Sequence, residues 1–181
     1  MTVELVRWGV DDLPVLQRAN TWEMTRYFGG PESDEALAQQ HSDYLSGWET
    51  GEMRMFRVDV DGTPAGYAGW WEEVHDGMPV YEVGCSIHPD WQGRGIALTA
   101  LRETLRLAAV LGDRPLVVGY AHVDNAASNA LCARAGFDLV GTAAFPADGD
   151  VPGMSVNVWT IDVSGLNHPA SGVQTERTGA S

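Results

Sequence analysis

The sequence predicts an α/β protein built on one mixed sheet with helices on both faces. Apolar runs with strand spacing alternate with longer segments of helical spacing, in the order strand, two helices, three strands, helix, strand, helix, two strands. The 181 residues are 44% hydrophobic, which is enough apolar material to fill a single core. We therefore predict one domain over residues 1–163.

The N-terminal third contains one strand and two helices. Residues 3–8 alternate as a half-buried strand does, and Asp11 is positioned to cap the helix that follows. Residues 24–31 contain a glycine pair and a proline, which predicts a loop, and Ser33 then caps a second helix. The inward-facing positions are Leu13, Leu16 and Ala19 in the first helix and Leu37, Tyr44, Leu45 and Trp48 in the second.

Three strands follow these helices. Residues 55–71 have the pattern of two strands joined at Asp61 and Gly62, a strong signal for a two-residue hairpin turn. A further turn is predicted over residues 75–79, and the apolar stretch over residues 80–87 is the third strand.

The C-terminal half combines two helices with three strands. The first helix follows Gly95, and the second is bounded by Asn125 as N-cap and Gly136 as the residue after its last turn. The predicted strands cover residues 116–121, 138–142 and 154–162. From residue 164 to residue 181 the chain is rich in Gly, Ser and Thr, and we expect a mobile tail.

Composition excludes several functions. A net charge of −14 argues against nucleic acid or an anionic membrane as partner. The charge is compatible with attraction of a cationic substrate, and solubility alone is the alternative explanation. All 11 basic residues are arginine, so Schiff-base and P-loop lysine chemistry are excluded. The two cysteines, Cys85 and Cys132, form no metal-ligand pattern, and we predict no metal. An acidic N-terminus without an apolar segment predicts a cytoplasmic protein rather than an exported one.

Residues 92–97 place two glycines around an arginine where a helix begins. A dinucleotide fingerprint is excluded, because its third glycine would fall at Leu98 and the upstream strands are hairpin-joined. The backbone amides of this loop stand at the positive end of the helix dipole, which carries roughly half a unit charge. The loop is therefore either an anion-binding site or a plain turn between a strand and a helix.

Two motifs in this half of the chain lie about 30 residues apart. In the glycine loop, Gln92, Gly95 and Ala97 fit the pattern Q/R-x-x-G-x-G/A. The capped helix carries the second motif, at Asn125, Ser128, Leu131, Gly136 and Phe137. Together they resemble the motifs of the GNAT superfamily of N-acetyltransferases, and the strand segment "YEVGCSIHP" is also similar to a family pattern. The resemblance covers residues 52–162.

The resemblance implies a central, mostly antiparallel sheet of about six to seven strands in which the strands at 80–87 and 116–121 splay apart. It also implies acetyl-CoA as cosubstrate. The pantetheine arm would lie in the gap, the pyrophosphate would sit on the loop amides with added charge from Arg94, and the thioester would lie near the capped helix. The implied cofactor-binding residues are Cys85, Ile87, Gln92, Gly93, Arg94, Gly95, Ile96, Ala97, Asn125 and Ser128.

The implied reaction is direct attack of an amine on the acetyl thioester, which needs a base and a proton donor. Glu82 is the first candidate base, with a purely structural role as the alternative. Glu72 and Glu73 come next, and one of them is expected to face the substrate groove.

Other candidates carry weaker expectations. His88 is expected to form a local hydrogen bond, and His122 is a weaker candidate base. Many relatives have a tyrosine at the position of Cys132, where its phenol protonates the leaving thiolate, whereas a cysteine there is expected to be a small buried residue. Tyr120 could replace that phenol if its ring points into the cleft, and solvent is the alternative proton donor, so the sequence leaves the general acid unassigned.

The resulting hypothesis is an acetyl-CoA-dependent N-acetyltransferase acting on the primary amine of a small molecule, such as an amino acid, a polyamine or an antibiotic-like amine. One alternative is acetylation of a protein N-terminus or lysine, and another is a domain that binds acyl-CoA without turnover. The acceptor cleft is expected to be walled by the N-terminal third. Most of the aromatic residues there are expected in the core, with one or two lining a pocket for the amine; they are Trp22, Tyr27, Phe28, Trp48, Trp70 and Trp71. A homodimer is also expected from the resemblance.

Overall fold

The computed structural model describes residues 1–145 and 153–167. Its strands are β1 Val3–Arg7, β2 Met53–Val60, β3 Thr63–His75, β4 Met78–Ile87, β5 Leu116–His122, β6 Asp138–Phe145 and β7 Met154–Asp162. Its α-helices are α1 Leu13–Ala19, α2 Trp22–Thr25, α3 Asp34–Thr50, α4 Ile96–Leu111 and α5 Ala126–Ala135. Three short 3-10 helices cover Arg26–Phe28, Pro89–Trp91 and Ser164–Asn167.

The seven strands form one sheet in the order β1-β2-β3-β4-β5-β7-β6. Every neighbouring pair is antiparallel except β4 and β5, which are parallel. The pairing between β4 and β5 consists of Tyr81 with Val117 and Glu82 with Val118. Both strands continue beyond this pairing, β4 to Ile87 and β5 to His122, so they diverge after Glu82 and Val118. The predicted mixed sheet with a splayed central pair is confirmed.

Helices cover both faces of this sheet. On one face, α1 and α3 bury a cluster that includes Trp8, Leu16 and Tyr44 against Met55 of β2; we call this the α1/α3 face. On the other, which we call the α4/α5 face, α4 and α5 pack against residues such as Trp70 and Tyr81. Alternation along a strand assigns each side chain of β3, β4 and β5 to one of these faces.

Two Asp-Gly pairs make the two tight hairpin turns. Asp61 and Gly62 have φ values of 48° and 78°, as a type I′ turn requires, so the predicted turn is confirmed. Asp76 and Gly77 repeat this geometry, with φ values of 51° and 78°. The predicted turn over residues 75–79 is therefore too long, because β3 continues to His75 and β4 begins at Met78.

Other predicted boundaries also change. Asp12, and not Asp11, precedes α1, and its carboxylate accepts a hydrogen bond from the Gly9 amide at 2.8 Å rather than capping the helix. The predicted loop at 24–31 contains the end of α2 and one 3-10 turn. Ser33 caps α3 as expected, by accepting a hydrogen bond from the Ala36 amide.

The C-terminal boundaries are close to those predicted. β6 extends beyond residue 142 to Phe145. Residues 164–167 of the predicted tail form a 3-10 turn, and residues 168–181 lie outside the described residues. Within residues 1–145 and 153–167, no helix is long and apolar enough to span a bilayer. In the same part of the chain, no group of three or more His, Cys, Asp or Glu side chains is arranged to hold a metal ion.

Candidate active site

The glycine loop joins the diverging strand β4 to helix α4. Gly93 and Gly95 adopt φ values of 71° and 79°, which L side chains rarely adopt, and a Cβ added at either would meet no atom within 4 Å. No side chain caps α4 at Gly95, so its first amides are available to an anion. The side chain of Gln92 donates to the Ile87 carbonyl oxygen at 2.8 Å and so anchors the loop to the end of β4. The loop therefore presents uncapped backbone amides in an open position, which is the geometry expected of the predicted anion site.

The Arg94 side chain lies on the exposed surface of this loop, against Trp91. Its guanidinium carbon lies 5.3 Å from the centre of the Trp91 ring, and its side chain is exposed. An exposed arginine of this kind adds little binding energy, because solvent screens its charge. The backbone amides at the start of α4, and not Arg94, therefore remain the predicted main anion-binding groups.

We expect Gly95→Val to weaken acetyl-CoA binding at least tenfold, because a β-branched residue cannot adopt this backbone conformation without moving the amides. Arg94→Ala should weaken binding only about two- to fivefold. Calorimetry with acetyl-CoA measures both effects. Gly62→Val is the matched control, since Gly62 has a φ of 78° and an equally open surrounding in a distant hairpin. A larger effect of Arg94→Ala than of Gly95→Val would contradict this account of the loop.

The capped helix α5 begins beside the end of β5. The Asn125 side chain accepts a hydrogen bond from the Ser128 amide at 3.1 Å, so the predicted N-cap is confirmed. Sequence reasoning missed Asn129, one residue further on. Its amide group donates to the His122 carbonyl oxygen at 2.9 Å, and its side-chain oxygen accepts from Asn157 at 2.8 Å and from the Trp159 indole at 3.0 Å. Asn129 therefore ties α5 to β5 and β7.

Both cysteine thiols lie on the α4/α5 side of the splay. The Cys85 sulfur is 4.0 Å from the carbonyl oxygen of Ala97 in the glycine loop. The Cys132 sulfur is 3.9 Å from the position a Cβ would take at Gly119 of β5. Burial raises the pKa of Cys85 to about 12 and that of Cys132 to about 11, so both thiols are protonated at neutral pH.

Glu82 lies at the point where β4 and β5 part. It is half-buried, and the Trp71 indole opposite it on β3 donates a hydrogen bond to its carboxylate at 3.2 Å. Burial raises the pKa of Glu82 to about 7, with a further contribution from the negative charge of Glu73, whereas the Trp71 hydrogen bond lowers it. A carboxylate with this pKa can accept a proton at neutral pH.

The two candidate carboxylates of β3 point to opposite faces. Glu72 pairs with Tyr81 in the sheet register and forms a salt bridge of 2.6 Å with Arg114, which also lies over the Tyr81 ring. That places Glu72 on the α4/α5 face, away from Glu82. Glu73 lies on the same face as Glu82 and raises its pKa, so Glu73, and not Glu72, shares the surroundings of the first candidate base.

Tyr120 shares the face of Glu82. Its hydroxyl lies 3.1 Å from Nδ1 of His75, and the Phe145 ring contacts it edge-on with ring centres 5.2 Å apart. Burial raises the pKa of Tyr120, as do the nearby charges of Glu82 and Glu73, so the phenol keeps its proton. Sequence reasoning missed His75, because nothing local indicates its partner 45 positions away.

Two other histidines hold segments together. His88 is buried, and its Nε2 lies 3.0 Å from the Val15 carbonyl oxygen, which links the end of β4 to α1. Nδ1 of His122 accepts a hydrogen bond from the Asp124 amide at 3.1 Å, and its ring stacks on Tyr27 with centres 4.9 Å apart. The Tyr27 hydroxyl also donates to the Asp124 carbonyl oxygen at 3.1 Å. The 3-10 turn that contains Tyr27 therefore bridges the α1/α3 face to the end of β5.

Comparison with known proteins is consistent with this geometry. The family model for the acetyltransferase (GNAT) domain matches residues 2–138 of the chain. No curated protein sequence matches this chain significantly.

The fold is shared with solved acetyltransferases. One modifies the N-terminal serine of 50S ribosomal subunit protein L7/L12 in Salmonella typhimurium; it is 21% identical, with a TM-score of 0.76 over 90% of this chain and 95% of that chain. The ribosomal-protein-alanine N-acetyltransferase of Brucella melitensis is 19% identical, with a TM-score of 0.70 over 90% and 99% of the two chains. The microcin C7 self-immunity acetyltransferase MccE, solved with acetyl-CoA and AMP, is 16% identical, with a TM-score of 0.74 over 88% and 92%.

Proposed function

Because this chain belongs to the GNAT family of acetyltransferases and uses acetyl-CoA, we propose that its acceptor is the primary amine of a small molecule. The observation that carries the proposal is the half-buried Glu82 at the parting of β4 and β5, with a pKa raised to about 7. A cationic amine is attracted to this groove because Glu73 shares the face of Glu82 and the chain carries a net charge of −14.

In the proposed mechanism, acetyl-CoA supplies a thioester that an amine can attack directly. The Glu82 carboxylate removes a proton from the bound ammonium, directly or through one water, so that the nitrogen lone pair becomes available. Trp71 holds this carboxylate in place through its indole N–H. Tyr120, protonated and on the same face, is the proposed proton donor to the departing sulfur. The amides of residues 92–97 and the N-terminus of α5 are the proposed cofactor contacts.

A small acceptor is favoured by the bridge over the groove. The Tyr27 ring stacks on His122, and its hydroxyl donates a hydrogen bond to the Asp124 carbonyl oxygen, so this turn is fixed beside the end of β5, where we infer that it limits the size of the acceptor. Amino acids, polyamines and antibiotic-like amines carry an accessible primary amine on a compact scaffold, which suits a narrowed opening.

A second candidate acceptor is a protein N-terminus. Trp22 and Phe28 flank the same bridge and are 66% and 56% exposed, which would suit contact with a larger partner. The similarity to acetyltransferases of ribosomal proteins also favours this alternative.

A panel of acceptors separates the two candidates. We expect thiol release from acetyl-CoA to be faster, by kcat/KM, with an amino acid, a polyamine or an aminoglycoside than with peptides that begin with serine or alanine. The same peptides with blocked N-termini are the control. A preference for free peptide N-termini would establish the second candidate. Acetyl-CoA binding without turnover of any acceptor would indicate a domain that only binds acyl-CoA.

Two further features belong to the proposal. A cytoplasmic location agrees with the two free cysteines, which a reducing compartment preserves. A homodimer agrees with β6, which lies at the sheet edge and exposes Leu139, Val140 and Phe145 by 53%, 56% and 41%.

A further inference from the structure

The hairpin turn between β3 and β4 carries a histidine onto the phenol of the candidate site. Nδ1 of His75 lies 3.1 Å from the Tyr120 hydroxyl, and Nε2 of the same ring lies 3.7 Å from the Asp76 carboxylate. The His75 side chain is 19% exposed and that of Asp76 is 87% exposed. His75 therefore joins the half-buried Tyr120, through a hydrogen-bond contact, to the exposed Asp76, which lies at ion-pair distance.

The charged groups around Tyr120 determine how readily its phenol can release its proton. Glu82 of β4, Glu73 of β3 and Asp76 of the turn are the charges that act on its phenol, and all three are negative. On its other sides Tyr120 meets apolar groups, namely Phe145 of β6 and a cluster around Val118 and Val158. The described surroundings therefore disfavour a phenolate unless a cation stands next to it, and the His75 ring is the neighbour that can become one.

We propose that His75, supported by Asp76, is a positioning residue that directs the Tyr120 proton toward the sulfur and resupplies it from solvent. This inference rests on the proposed function. With its proton on Nδ1, His75 donates to the phenolic oxygen, which leaves the phenolic hydrogen free for the leaving group. When both ring nitrogens carry protons, the imidazolium faces the phenolic oxygen on one side and Asp76 on the other.

The protons balance over one turnover. An ammonium acceptor loses two protons as it becomes an amide, and both leave through Glu82 to solvent. The new thiol takes one proton from Tyr120. As Nε2 of His75 takes a proton from solvent beside Asp76, Nδ1 passes its own proton to the phenolate, and proton exchange with solvent returns the ring to the Nδ1 tautomer before the next turnover. One proton is released overall, as the conversion of an ammonium and a thioester into an amide and a thiol requires.

Imidazole rescue tests this role. We expect His75→Ala to lower kcat about 10- to 100-fold with little change in the KM for acetyl-CoA, because a proton transfer is impaired while binding is not. His75→Gln should lose a similar factor, since glutamine can donate a hydrogen bond but cannot relay a proton. Added imidazole should restore most of the rate to His75→Ala but none to the double variant with Tyr120→Phe. Unchanged kcat in His75→Ala, or equal rescue of the double variant, would overturn the proposal.

A matched pair of turn variants tests Asp76. Asp76→Asn keeps a residue that tolerates the positive φ of the turn, and it should lower kcat severalfold because the imidazolium loses its carboxylate. Asp61→Asn makes the same change in the other Asp-Gly turn and should leave kcat unchanged. Equal rates for the two variants would remove Asp76 from the relay.

Nitrogen NMR of the His75 ring gives a readout that needs no turnover. We expect the neutral ring of the wild-type protein to carry its proton on Nδ1. A neutral ring protonated only on Nε2 would have to accept the phenolic hydrogen, and this result would overturn the proposal even in an active enzyme. If the wild type turns over no acceptor, the proposed function fails, while the tautomer still decides the His75 geometry.

Discussion

Glu82→Gln is expected to lower kcat by about 10²- to 10³-fold while the Kd for acetyl-CoA changes less than about twofold. Glutamine can keep the hydrogen bond from Trp71 but cannot accept a proton from the ammonium, so the loss falls on the chemical step. Thiol release with the best acceptor measures kcat, and calorimetry measures the binding of acetyl-CoA. A variant that keeps most of the wild-type kcat would remove Glu82 from the reaction.

The pH dependence of kcat/KM in the wild type also tests whether Glu82 is the base. Only the ionised carboxylate is a base, so kcat/KM should rise with pH and reach half of its limit near pH 7, where burial places the pKa of Glu82. Glu82→Gln should lose this rise. An unchanged pH profile in the variant would assign the titration to another group.

The raised pKa also predicts an effect on stability, with a definite sign. The pKa of Glu82 is about 7 in the folded chain and 4.5 for an unperturbed glutamate. Protonation of Glu82 therefore stabilises the folded state, fully below pH 4.5, and this stabilisation is lost as the pH rises through 7. At pH 8 the free energy of unfolding of Glu82→Gln should therefore exceed that of the wild type by on the order of 2–3 kcal/mol. Denaturant unfolding measures this difference. At pH 4 the difference should vanish.

Glu72→Gln is the matched control for Glu82→Gln. The two residues lie on neighbouring strands, but Glu72 is bound to Arg114 on the opposite face, so its substitution should leave kcat and the pH profile unchanged. A loss of activity as large as that of Glu82→Gln would mean that Glu72 reaches the acceptor after all.

The choice between Glu72 and Glu73 shows how far the sequence alone could lead. An Asp-Gly turn at residues 76 and 77 pairs His75 with Met78, and counting back along both strands pairs Trp71 with Glu82. That register places Glu73, and not Glu72, on the face of Glu82. A turn predicted over five residues, 75–79, does not give this register, whereas the two-residue Asp-Gly pattern, which also occurs at Asp61 and Gly62, does.

Local signals predicted the fold because each one acts within a few residues. The side chains of Ser33 and Asn125 cap their helices by accepting a hydrogen bond from the amide three positions away. Gly93 and Gly95 allow the positive φ values of the glycine loop at their own positions. The contact of His75 with Tyr120 spans 45 positions, as does that of Asp12 with Arg57. Such pairs depend on the register of several strands at once, so a single sequence does not reveal them.

Arg57 provides the largest expected effect on stability. Its guanidinium lies 2.7 Å from the Asp12 carboxylate, and it makes two hydrogen bonds of 2.7 Å and 2.8 Å to Asp59 on the same strand. The two carboxylates are only 4% and 7% exposed, and these hydrogen bonds raise the pKa of Arg57. This network joins the start of α1 to β2, beneath the helices that wall the proposed acceptor groove.

Arg57→Ala is expected to lower the free energy of unfolding by about 3–5 kcal/mol, because it leaves two buried carboxylates without their cation. Arg57→Lys should lose less, since it keeps the charge but not the two-pronged contact with Asp59. Denaturant unfolding at pH 7 measures both variants. Arg106→Ala is the control, because its pair with Glu103 is exposed and should contribute less than about 1 kcal/mol.

A second substitution distinguishes loss of charge balance from loss of packing. Adding Asp59→Asn to Arg57→Ala removes one of the two unpaired carboxylates, so the double variant should be more stable than Arg57→Ala alone. If the arginine acted mainly through the contacts of its aliphatic stem, this second change would restore nothing. Recovery in the double variant would therefore identify buried charge, and not lost volume, as the reason that Arg57 holds α1 against the sheet.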